Sequence, residues 1–230
     1  MFFFPIDEYY LLLVVPAMII SMIAQFKVKS TFTKYSKMRC SRRISGRDAA
    51  AALLQSNSIS DVAVEGISGS LTDHYDPRSK KLRLSDSVYA QTTVAAVGVA
   101  AHEAGHAIQH AQKYGPLVLR STLVPVANIG SRFGPIMAIG GLFLGMEPLL
   151  HIGILLFGAA VLFYLITLPV EFNASSRALA LLENGNILNR EELEGAKKVL
   201  TAAALTYVAS ALTAIMSLLR LILLARGRRR

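Results

Sequence analysis

Residues Val99 to Gln112 read VAAHEAGHAIQHAQ, and the reading of this stretch decides the fold. It holds three of the chain's five histidines, His102, His106 and His110, with one acid, Glu103. The run from Ala90 to Lys113 around it has no proline and is rich in alanine, which predicts one long helix. On a helix, His102 and His106 lie one turn apart on the same face, with Glu103 beside the first. Two imidazoles so placed can reach one tetrahedral ion, and the neighbouring acid can take a proton from water, which is the HExxH arrangement of zinc hydrolases. The competing reading is an incidental polar stripe. Ala100, Ala101, Ala104, Gly105 and Ala107 favour the site, because small residues let the helix pack closely against its neighbours.

His110 extends the row by one more turn, but three successive turns of a straight helix cannot all bring a nitrogen to within about 2 Å of one ion. It is therefore expected outside the ligand set. Cys40 is the single cysteine, which excludes an intramolecular disulfide and a thiolate zinc site. The remaining ligand must be His, Asp or Glu.

Outward from this helix, the chain reads as a membrane protein. Its 230 residues are 53% hydrophobic and only 17% charged. The mean hydropathy is +0.46. The formal charge of +9 sits beside apolar runs. Lys27, Lys29, Lys34, Lys37, Arg39, Arg42 and Arg43 follow the first run; Arg226, Arg228, Arg229 and Arg230 follow the last. That pattern fits contact with lipid headgroups and argues against a nucleic-acid partner.

Residues 1–27 are expected to form an N-terminal transmembrane anchor around the uncharged run Tyr9 to Phe26, with its basic end in the cytoplasm. Residues 28–116 read as a cytoplasmic half-domain. SGRDAAAALLQSN (Ser45–Asn57) is a serine-capped helix, and LTDHY and KLRLS, joined by the turn DPRSK, form a hairpin. KLRLS is either an edge strand able to take an extended peptide or an ordinary strand guarded by Lys80, Lys81 and Arg83. Residues 117–170 read as a transmembrane helical hairpin turning at Gly145–Pro148, although Arg120 and Arg132 leave the start of its first helix partly in the interface. Residues 171–200 read as two cytoplasmic helices broken at Asn-Gly. Residues 201–230 read as an apolar helix and basic tail, interrupted by Arg220 and either spanning or re-entrant. The expected fold is mainly α and integral to the membrane: a zincin-like HExxH domain with a small β-hairpin, plus three or four transmembrane helices.

A chain that crosses after the HExxH helix, turns and crosses back returns at Val170, so Glu171 is its first polar residue on the original side. It either supplies the third ligand of a His2Glu zinc site or merely marks the membrane boundary or caps a helix. AHEAGHAIQHA, LPVEFNAS and LTDHYDPRSKKLRLS together resemble the bacterial membrane-bound neutral zinc metallopeptidases of the YugP type, along most of the chain. More distantly, they resemble the integral-membrane gluzincins that include the CAAX prenyl protease. The resemblance implies Zn2+ held by His102, His106 and Glu171, Glu103 as general base, and a peptide or membrane-protein substrate. It also implies a multi-pass protein of the cell membrane, and the basic flank of the anchor puts the active site on the cytoplasmic side. In the distant relatives an aspartate follows the ligand glutamate by four residues, whereas here that position is Ser175, with Asn173 nearby. Tyr207, His74 and Arg177 are candidate oxyanion donors by residue type. The rival reading is a membrane zinc-binding scaffold or chaperone-like protein without proteolysis.

Overall fold

The computed structural model describes residues 7–227; Arg228, Arg229 and Arg230 of the basic tail lie outside them. A π-helical turn, Tyr10–Val14, leads into α1 (Val15–Tyr35), followed by α2 (Gly46–Ser56), β1 (Ala63–Ile67), β2 (His74–Asp76), β3 (Lys81–Ser85), α3 (Val94–Ala111), α4 (Gly115–Leu144), α5 (Glu147–Asn184) and α6 (Arg190–Gly227). The chain divides into two compact units, one of Met1–Ala24, Leu119–Leu168 and Thr206–Arg230, the other of Gln25–Val118 and Pro169–Leu205.

The second unit holds the expected HExxH helix. α2 begins where Ser45 accepts a bond from the Asp48 N–H at 3.1 Å and donates its hydroxyl to the Asp48 carboxylate at 2.6 Å. α3 is capped in the same way by Thr93, whose hydroxyl accepts from the Ala96 N–H at 3.3 Å. The antiparallel pairing of β2 with β3 is the expected hairpin. It is part of a larger sheet, however, because β1 pairs with β3 in parallel and the strand order is β1-β3-β2. β3 (KLRLS) is thus the central strand, with both edges occupied, and cannot receive a peptide as an edge strand. Its alternate residues Leu82 and Leu84 are fully buried, in one core with Val94, Val97, Ala101 and Ile108 of α3 and Leu53 and Leu54 of α2.

The break before α6 is built around a carboxylate. Asn189 accepts from the Glu192 N–H at 3.0 Å while Glu192 accepts from the Asn189 N–H at 2.9 Å, a reciprocal capping box. The other Glu192 oxygen accepts from the N–H and the hydroxyl of Ser41, each at 2.6 Å, tying the loop after α1 to the start of α6. From there α6 continues to Gly227 without a break, so the polar helix and the apolar segment expected as separate pieces are one helix.

In the first unit, α1 and α6 run antiparallel. Asp7 pairs with Arg220 (2.5 Å), Thr213 donates to the Ala17 carbonyl (3.3 Å), and Ser21 donates to the Ala209 carbonyl (3.3 Å). Arg220, which interrupts the last apolar run in sequence, is buried with its charge met by Asp7 and its guanidinium over the Tyr10 ring. In the same unit α4 and α5 form the expected hairpin, turning at Gly145 (φ +75°). The contact leaves no room for side chains: a Cβ on Gly130 would lie 2.1 Å from the Leu156 carbonyl oxygen, and one on Gly153 would lie 2.3 Å from the Ala138 nitrogen.

Among the described residues three helices are long and apolar enough to cross a membrane: Tyr10–Tyr35, Glu147–Asn184 and Arg190–Gly227. α4 is not one of them; it carries Arg120, Asn128 and Arg132 and has Pro125 and Pro135 inside it.

Two outcomes are expected. Because α6 lies antiparallel to α1 from Arg220 to Ala209, tags on the two chain ends should be cleaved by protease from the same side of sealed vesicles. Glu192→Ala leaves two backbone N–H groups and a hydroxyl without their acceptor, and should lower stability by about 2–3 kcal/mol in detergent melts.

Candidate metal centre

The three ligand candidates lie within the second unit and come together there. His102 and His106 project from one face of α3, with ring centroids 4.7 Å apart and the rings nearly perpendicular. Glu171 stands on α5, only 2% exposed. Its Oε2 is 3.3 Å from Nε2 of His102 and 3.5 Å from Nε2 of His106. His110 takes no part. Its Nδ1 is 2.8 Å from the hydroxyl of Tyr75, so it ties β2 to the end of α3. Burial pushes the Tyr75 hydroxyl up to about 12, which keeps it protonated and able to donate in that bond.

Gly105 permits the approach of α3 to α5. A Cβ there would lie 2.8 Å from the carbonyl oxygen of Ala174, and backbone cannot swing aside as a side chain can. On the other side of α3, Gly98 faces Ala196 of α6, with 3.2 Å between its would-be Cβ and the alanine methyl. The small residues in the HExxH helix thus serve close packing, as their pattern predicts.

The donor set fits zinc. Ligands about 2.0–2.1 Å from a tetrahedral ion are about 3.3–3.4 Å from one another, and the two Nε2–Oε2 separations match that edge length. The three residues offer ligand atoms that all lie within 4.8 Å of one another. Behind the ligands, Ser175 Oγ is 3.1 Å from Nδ1 of His102, and Gln109 Oε1 is 3.0 Å from Nδ1 of His106. Each histidine therefore has its far nitrogen engaged and its near nitrogen turned toward Glu171. Ser175, four residues after Glu171, makes its contact with a hydroxyl. Gln109 went unread in the sequence, although its place three residues after His106 puts it on the same helix face.

Glu103 is 8% exposed, next to this cluster. Burial alone would keep His106 neutral, but its bond to Glu171 and the charges of Glu103 and Glu171 hold its pKa above the ordinary value. Asp73 is a further carboxylate that sequence reasoning missed. It accepts from the N–H (2.7 Å) and hydroxyl (3.0 Å) of Ser85, and burial, with the charge of Glu103 adding to it, pushes its pKa up.

Of the proposed oxyanion donors, His74 is exposed and engaged with the Thr72 carbonyl at 2.9 Å. Arg177 donates to Asn173 Oδ1 at 2.7 Å and to Gln112 Oε1 at 2.5 Å, so one partner lies on its own helix and the other at the C-cap of α3. Tyr207 belongs to the other unit.

A mainly helical chain with three helices long and apolar enough to cross a membrane, and a His2Glu cluster able to hold a metal ion, accords with what comparison with known proteins finds. Residues 10–226 match the family described as "putative neutral zinc metallopeptidase", and the chain belongs to that family. It is 48% identical over 215 residues to the "Putative membrane protease YugP" of Bacillus subtilis (strain 168), covering 94% of this chain and 96% of that one. No solved structure matches it.

Gly105→Ala tests the close approach. Alanine is worth about 1 kcal/mol over glycine in a helix, but overpacking against backbone costs about 1–3 kcal/mol. A net loss of up to about 2 kcal/mol in metal-free melts is expected, with weaker zinc uptake by chelator competition.

Proposed function

We propose that the chain is an integral-membrane zinc endopeptidase of gluzincin type, its site formed by His102, His106 and Glu171 as metal ligands and Glu103 as general base. The observation that carries this reading is the convergence of two Nε2 atoms on one carboxylate oxygen, at 3.3 and 3.5 Å, one residue from a nearly buried acid. Zinc held there would polarise a scissile carbonyl and lower the pKa of a water molecule.

The chain's residues do the rest. Glu103 accepts the proton of the attacking water and returns it to the departing amine as the C–N bond breaks. It stands on α3 beside His102. Ser175 and Gln109 hold the two imidazoles in orientation. The substrate is a peptide segment or a membrane protein presented at the bilayer. The basic residues from Lys27 to Arg43, after the apolar part of α1, support a cytoplasmic site in the cell membrane.

Glu103→Gln should lower peptide cleavage by about 10²–10⁴-fold while zinc content stays at that of the unaltered protein. His106→Ala should lose both. Zinc content can be read by atomic absorption and cleavage by accumulation of membrane-protein fragments in cells. Undiminished cleavage by the Glu103→Gln protein would favour a scaffold that only binds the metal.

A further inference from the structure

Gln109 is completely buried and lies one turn beyond His106 on α3. A glutamine side chain has two unlike ends, an NH2 that only donates and an oxygen that only accepts. Its neighbours decide which end points where. Nε2 is 2.9 Å from the backbone carbonyl of Val170 and 2.9 Å from Oδ1 of Asn173. The Val170 carbonyl can only accept. Asn173 is oriented in turn by Arg177, whose Nε lies 2.7 Å from the same Oδ1 and can only donate. A flipped Gln109 would set its oxygen against two others, so the amide has one orientation, imposed from two independent directions.

Its Oε1 then faces Nδ1 of His106 at 3.0 Å, and an oxygen that can only accept requires the proton on Nδ1. Neutral His106 is left with a lone pair on Nε2, on the side of Glu171. We propose that Gln109 is a positioning residue for the metal centre: with its polarity set by Val170 and by Asn173 under Arg177, it fixes His106 as the Nδ1–H tautomer and so reserves Nε2 for zinc.

The inference rests on the zinc reading above and adds to it a line of command, Arg177 to Asn173 to Gln109 to His106, from α5 into α3. It also gives Arg177 a role different from oxyanion binding. Because Gln109 spans the two helices, it ties the turn of α5 that carries Glu171 to the helix that carries the histidines.

The test reads metal binding rather than activity. With 15N-histidine label in the zinc-loaded full-length protein in detergent, His106 should show a protonated Nδ1 and a metal-shifted Nε2; coordination through Nδ1 overturns the proposal. Zinc affinity by chelator competition should fall about 10–100-fold in Gln109→Met, which has similar bulk and no polar ends. Gln109→Met within threefold of the unaltered protein overturns it. If Gln109→Met does not fold, the nitrogen spectrum of the unaltered protein decides alone. An unaltered protein that takes up no zinc, or a His106→Ala protein that takes it up undiminished, would instead refute the zinc site itself, and the role of Gln109 with it.

Discussion

The site depends on the closeness of α3 to α5 at Gly105 and Ala174. A helix backbone normally keeps its neighbour at a distance set by side chains, and here that spacer is removed at the one turn flanked by His102 and His106. Glu171 lies three residues before Ala174, so the contact that brings the backbones together also brings the carboxylate oxygen to 3.3 Å from one imidazole nitrogen and 3.5 Å from the other. Packing on the far side serves the same end, since Gly98 against Ala196 backs α3 with α6.

Closeness alone does not make a ligand set; the polar groups must also face the right way. Both histidines are held through Nδ1 by neutral partners, a serine hydroxyl and a glutamine amide. The carboxylates of the region have other places: Glu171 between the rings, Glu103 beside them, and Asp73 on the Ser85 backbone and hydroxyl. The charge that zinc would meet therefore comes from Glu171 in direct contact, with Glu103 close by, while the groups behind the rings set direction without adding charge.

Much of this was legible because it is local. The HExxH spacing fixes two donors and an acid on one helix face whatever the rest of the chain does, and Ser45 marks the start of α2 by chemistry confined to a single turn; the cap at Thr93 went unread, so α3 begins at Val94 and not at the expected Ala90. Glu171 could be picked out because crossing and returning leaves few polar residues at the point of re-entry. What stayed hidden was non-local. The residues of β1, AVEGI, carry no sign that they will pair in parallel with β3, and that pairing turns KLRLS from an expected edge into the middle of the sheet. The change from polar to apolar near Thr201 looks like a boundary between helices, yet no proline or glycine lies between Ala196 and Arg226 to end one. Gln109 was passed over because its importance comes from Val170 and Asn173, more than sixty residues further along.

The pairing of Asp7 with Arg220 sets a timetable for making the protein. Ribosomes add about 5–20 residues per second, so α1 is made on the order of tens of seconds before the helix that answers its acid is complete. Within that interval the proposed metal set is complete once Glu171 is added, before Ala196, Val199 and Leu200, which complete the core around α3, have followed. The nascent chain thus acquires its chemistry before its walls, and the finished enclosure of α3 waits on the last helix to be translated.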